Sequence, residues 1–145
     1  MPNYVSNRAI IRHSDPAKLA LLDTAYQERN LFNTILPCPP ALLNTPSGRY
    51  ADPVKQAAME KEQAENRKQY GYSTSYEWRV ENWGTKWEAI TNEQAPLYTD
   101  DDGEIVLEFE TAWCPPTGIY KALRQQGYDV TYDWWEEWET EEDEV

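Results

Sequence analysis

The last eighteen residues, YDVTYDWWEEWETEEDEV, hold three tryptophans, nine acids and no basic residue. Few folded arrangements accept both. A carboxylate buried without a partner is strongly unfavourable, so the acids must face water, while each indole gains by leaving it. An edge strand reconciles the two demands, because successive side chains point to opposite faces and charges on an edge block strand-to-strand aggregation. On that reading Val130, Tyr132 and Trp134 share the core-facing side of the last strand. Trp135 lies on the opposite, open face or rim, and Trp138 lies beyond the sheet. Residues 141–145 form an acidic tail.

Upstream, YVSNRAIIRHS reads as a first strand, with Ile10 and Ile11 flanked by Arg8 and Arg12. Set beside the acidic last strand, those arginines would meet opposite charges, each such pair stabilising by roughly 0.2–1 kcal/mol. A helix follows over 15–29, capped by Ser14 or Asp15, with Pro16 in its first turn and a Leu19, Leu22, Tyr26 stripe. The stretch from Leu31 to Tyr50 is a Pro-rich connection whose apolar residues must still pack. Asp52-Pro53 opens a second helix with a thin apolar face, read as a surface insertion spanning about 44–75.

Lys86–Ile90 is the expected start of a second strand, and an Asp101-Asp102-Gly103 turn feeds a third, where Ile105, Leu107 and Phe109 alternate with Val106, Glu108 and Glu110. A short helix from Pro115 carries Ile119 and Leu123 inward and stops at Gly127. The order strand, helix, inserted helix, strand, strand, helix, strand is that of an α+β ferredoxin-like split β-α-β sandwich. Its four-stranded antiparallel sheet would run 4-1-3-2, with the last strand beside the first. One such domain would fill 1–140. At 145 residues, with seven Trp and ten Tyr, the chain has enough bulk for one core.

The formal charge of −13 is unevenly placed: beyond the nine acids of 129–144, six more lie between Asp100 and Glu110. Such a surface repels phosphate backbones and attracts basic proteins. Direct nucleic-acid binding is therefore not expected, and Trp78, Trp83, Trp87 and Trp113 are expected to pack as core beneath the insertion rather than to stack on bases. Cys38 and Cys114, each followed by a Pro-Pro pair, are expected to be reduced thiols, and with His13 they fall short of the four ligands of a structural zinc site. No apolar run reaches membrane-spanning length and the N-terminus has no secretory h-region, so a cytoplasmic protein without membrane contact or cofactor is expected. No nucleophile motif or phosphate loop appears, and Asp-Asp-Asp-Gly-Glu lacks the ligand spacing of a calcium loop.

MPNYVSNR, FNTILPCPP, WRVENWGTKWEA and FETAWCPP, in this order, resemble a family of small Api-like proteins from phages, plasmids and pathogenicity islands that carry a ferredoxin-like domain. ENWGTKW and TAWCPP are the specific pieces. The resemblance covers most of residues 1–125 and implies a fold and a mobile-element origin in a bacterial host, without catalytic residues to carry over. The C-terminus departs from it: where family members continue into a Glu-Pro-Gly segment, this chain has DWWEEWETEEDEV.

The functional expectation is a non-enzymatic acidic protein that binds and inhibits a basic, nucleic-acid-handling host defence protein, of the anti-restriction or anti-CRISPR type. Partner-binding residues are expected to be Trp135, Trp138, Asp133, Glu136, Glu137 and Glu139, with Asp100, Asp101 and Asp102. The tail alone is too sparse to copy DNA. Extended at about 3.3 Å per residue it carries one charge per ~6 Å, against about 1.7 Å in the duplex. Mimicry would need Asp100–Asp102 and Glu60, Glu62 and Glu65 as well. An accessory binding module without a defence role, and a small-substrate enzyme with an unrecognised carboxylate pair, both stay open on sequence.

Overall fold

A computed structural model describes residues 4–46, 48–91, 97–98 and 103–136. Three long strands build its sheet: β1 (Tyr4–Arg12), β4 (Glu104–Ala112) and β5 (Asp129–Glu136). Two short pieces, β2 (Ile90–Thr91) and β3 (Leu97–Tyr98), pair with β4. The order is β2-β4-β1-β5, with every pairing antiparallel. The first and last strands are neighbours, as the expected strand order required. Arg8 stands opposite Asp133, and Arg12 opposite Asp129 at 3.8 Å. The same arginines reach the other way, Arg8 to Glu108 at 3.8 Å and Arg12 to Glu104.

Alternation sorts the strand residues. Val5, Asn7, Ala9 and Ile11 of β1 are buried, and their partners Thr111, Phe109, Leu107 and Ile105 of β4 are buried with them. Onto this face pack α1 (Pro16–Gln27), through Leu19, Leu22, Ala25 and Tyr26, and α6 (Thr117–Gln125), through Ile119, Tyr120, Ala122 and Leu123. The helix starts follow local chemistry: the Asp15 carboxylate accepts from Ala17 N–H at 3.0 Å, ahead of Pro16.

Between α1 and β2 the chain is more helical than its prolines suggested. The Pro-rich connection holds two short helices, α2 (Leu31–Ile35) and α3 (Pro40–Leu43), which bury Leu31, Phe32, Ile35 and Leu42. The long helix α4 (Pro53–Tyr70) is mostly exposed. Asn66 of α4 donates to Thr45 Oγ1 at 2.7 Å and to the Ser73 carbonyl at 3.2 Å, and Gln63 donates to the Pro46 carbonyl.

A further helix, α5 (Ser75–Asn82), stands just ahead of the expected second strand. Thr74 caps α5, and the Glu77 carboxylate reaches back to Ser73 N–H at 3.1 Å, a near capping box. The strand itself starts only at Ile90, because Glu88 is drawn inward to accept the N–H groups of Phe32 and Asn33. Of the expected turn before β4, only Gly103 lies within the described residues.

Candidate functional site

The face of the sheet away from α1 and α6 carries Tyr4, Ser6, Arg8, Ile10 and Arg12 of β1, and by register Glu104, Val106, Glu108 and Glu110 of β4 and Asp129, Thr131, Asp133 and Trp135 of β5. One row crosses all four strand positions: Ile90 opposite Glu110, Glu110 opposite Ser6, Ser6 opposite Trp135. Its two ends are exposed apolar side chains, Ile90 at 39% and Trp135 at 43%. Between them lies a cavity of about 190 Å³ whose lining includes Ser6, Glu108, Glu110, Phe109, Ile90 and Trp135. The next row holds Glu108, Arg8 and Asp133. An apolar-ended trough floored by carboxylates suits a side chain with an aliphatic stem and a cationic head.

Trp135 and Asp133 therefore fall where the sequence placed them. Glu136 does not share their face. It stands opposite Val5, on the side of the buried residues. Trp138, Glu137, Glu139, Asp100, Asp101 and Asp102 lie outside the described residues. Ile90, Ser6, Glu108 and Glu110 join the site unannounced, although the alternation of acids along β4 was the signal for two of them.

Trp134 corrects the sequence reading. Its register does put it on the helix side, opposite Asn7, yet it is 46% exposed. Tyr120 of α6 stacks on Tyr132 at 4.1 Å, and Trp134 stands one pair further along an edge strand, past that stack.

The four central tryptophans divide. Trp83 is fully buried, its indole N–H donating to the Leu36 carbonyl at 2.8 Å, with Phe32 and Trp78 edge-on at 5.6 and 5.9 Å. Trp78 is buried too, whereas Trp87 and Trp113 are exposed, against the expectation of core. For Trp113 the cause is its backbone. Continued alternation after Thr111 would turn it inward, but it adopts φ 68° inside a tight turn closed by Cys114 N–H on the Ala112 carbonyl at 2.8 Å. That turn aims the indole at solvent and over Lys86, whose ammonium lies 3.9 Å from its ring centroid and 4.5 Å from that of Trp87.

ENWGTKW and TAWCPP, far apart in sequence, thus meet in space. Thr85 Oγ1 donates to the Ala112 carbonyl at 2.8 Å, and Gly118 N–H donates to the Trp83 carbonyl at 3.1 Å. Gly118 is needed at that crossing, since a Cβ there would lie 1.8 Å from the Asn82 carbonyl oxygen.

The titratable groups buried elsewhere belong to packing. Desolvation raises the pKa of the Cys38 thiol, a free and buried cysteine, while Cys114 is free and exposed. Burial pushes the Glu88 carboxyl up, against three backbone N–H donors that favour its charged form. Among the described residues no group of three or more His, Cys, Asp and Glu is placed to hold a metal ion, and no helix is long and apolar enough to cross a membrane. The chain matches no protein-family model, no curated protein and no solved structure.

Proposed function

We propose that this is a partner-binding protein that receives a basic, nucleic-acid-handling host protein on the open face of its sheet. The observation that carries the reading is the row Ile90–Glu110–Ser6–Trp135, where two exposed apolar residues bracket the Glu110 carboxylate, with Glu108 and Asp133 in the next row. Aromatic anchors supply hot-spot energy, and acids around them steer a cationic partner and speed encounter. The formal charge of −13 extends that attraction beyond the site.

The more specific form of the proposal is an inhibitor of a host defence complex, of the anti-restriction or anti-CRISPR type, made by a mobile element and occupying a basic nucleic-acid channel. It rests on the acidity together with the resemblance to Api-like proteins. The fold is read in the same spirit as ferredoxin-like, supported by α1 and α6 on one face of an antiparallel β5-β1-β4-β2 sheet. Arg8 and Arg12 interrupt the acids of the open face, which favours docking by contact over imitation of a phosphate array.

Capture from bacterial lysate at low and high salt tests the proposal. A basic nucleic-acid-binding protein should be retained at low salt and released at high salt. Capture should fail with Glu108→Gln, Glu110→Gln and Asp133→Asn combined, and nucleic acid should compete with this protein for the catch. A partner that holds nucleic acid and this protein together would exclude channel occupation.

A further inference from the structure

The Trp87–Lys86–Trp113 cluster lies outside the acidic row and is built at a conformational cost. A bulky residue with φ near 68° is a genuine outlier, and a turn closed between residues i and i+2 about a positive φ is a rare, strained form. The strain at Trp113 is held by three bonds: Cys114 N–H to the Ala112 carbonyl, Thr85 Oγ1 to the same carbonyl, and Thr111 Oγ1 to the Cys114 carbonyl at 2.7 Å. All of this keeps an indole 53% exposed. Strain maintained in order to display a side chain points to use of that side chain.

A cation of the chain's own already lies against both indoles. The Lys86 ammonium sits within about 6 Å of both ring centroids, the range in which an aromatic face attracts a cation. A guanidinium fits such a place better than an ammonium does, because it is planar, more weakly hydrated and stacks on aromatic faces. The location also agrees with the open-face trough. Ala112, next to Trp113, pairs with Tyr4 just beyond the Glu110–Ser6 pair, and Trp87 stands three residues before Ile90.

We infer that Trp87 and Trp113 form a two-walled slot for an arginine of the basic partner, held in reserve by Lys86 until that arginine displaces it. The inference rests on the proposed basic partner and names the side chain recognised at one margin of its docking face. Lys86 acts as an internal competitor in the slot, so removing it should tighten binding. A lysine serving as an ordinary recognition group would have the opposite effect, and this sign is the discriminating feature.

The experiment titrates nona-arginine and nona-lysine peptides into the full chain at fixed salt, following the indole N–H signals of Trp87 and Trp113 by NMR. Nona-arginine should move both signals and nona-lysine should move them far less. Lys86→Met should tighten nona-arginine binding about two- to five-fold, and Trp113→Gly, which also relieves the backbone, should weaken it by a similar factor. Equal binding of the two peptides with unmoved indole signals would overturn the slot, as would weaker binding by Lys86→Met. If the triple acid variant of the open face loses nona-arginine while Lys86→Met and Trp113→Gly leave its affinity unchanged, the slot fails and the acidic docking face stands. If lysate capture fails while the indole signals respond as expected, the slot stands and the proposed host partner falls.

Discussion

Trp83 and Trp87 are four residues apart in one short stretch and have opposite environments. Trp83 is closed in by Phe32, Trp78 and the Leu36 carbonyl, and the Arg79 guanidinium lies 5.0 Å from its ring centroid. Trp87 is exposed and shares Lys86 with Trp113. Composition treats these residues alike. The difference shows that in a chain so rich in indole, the local backbone and a few long-range hydrogen bonds decide which tryptophan builds the core and which is displayed.

The two tryptophans differ most visibly in what their removal does to stability. Trp83→Ala should destabilise the protein by about 3–5 kcal/mol, as truncation of a buried aromatic does. Gly118→Ala should act on the same junction, because the added methyl meets the Asn82 backbone and no flexible side chain can yield. Denaturant midpoints check both. A Trp83→Ala midpoint equal to wild type would mean that this indole is not the centre of the core.

Much of this architecture was legible because it is set locally. Asp15-Pro16 and Asp52-Pro53 start helices where they stand, each carboxylate accepting an N–H two residues on. The order of the elements put the last strand beside the first, and Arg8 and Arg12 do stand opposite acids of β5. The helix α5 was legible in principle from Thr74-Ser75-Tyr76-Glu77, a capping signal masked by the aromatic residues around it. The display of Trp87 and Trp113 was not legible. It depends on a positive φ at a residue that rarely adopts one, and on Glu88 binding Phe32 N–H across 56 residues. Propensity and periodicity carry no trace of either.

The displayed tryptophans should show the reverse balance, a small effect on folding and a larger one on binding. Trp135→Ala should weaken partner binding by about 2 kcal/mol if it anchors the trough, chiefly through faster dissociation. Trp113→Gly should leave folding stability within about 1 kcal/mol of wild type, because relief of a left-handed backbone, worth roughly 1–2 kcal/mol, offsets the lost cation–π contact. Calorimetry with dissociation kinetics on the same variants separates the two readouts. A loss of several kcal/mol for Trp113→Gly would return this residue to the core.

The smallest effect concerns Glu88, the residue that turns inward directly after Trp87 turns out. Its carboxylate accepts N–H groups from Phe32, Asn33 and Ala89, tying the exposed stretch to α2. Burial nevertheless raises its folded pKa above the ordinary 4.5. The folded state therefore holds the proton more tightly than the unfolded chain. The stability this provides is complete below pH 4.5 and declines as the pH rises through the folded value. Glu77 works in the opposite sense: the Ser73 N–H lowers its pKa, so its contribution is lost as the pH falls. The two overlap in a wild-type profile, and the difference between wild type and Glu88→Gln isolates the first. Relative to Glu88→Gln, the wild type should lose stability as the pH is raised from 4 towards 7. A difference that is flat over that interval would mean that the three N–H donors offset burial, and one that grows in favour of the wild type that they outweigh it, so that Glu88 holds the turn beside Trp87 as an anion.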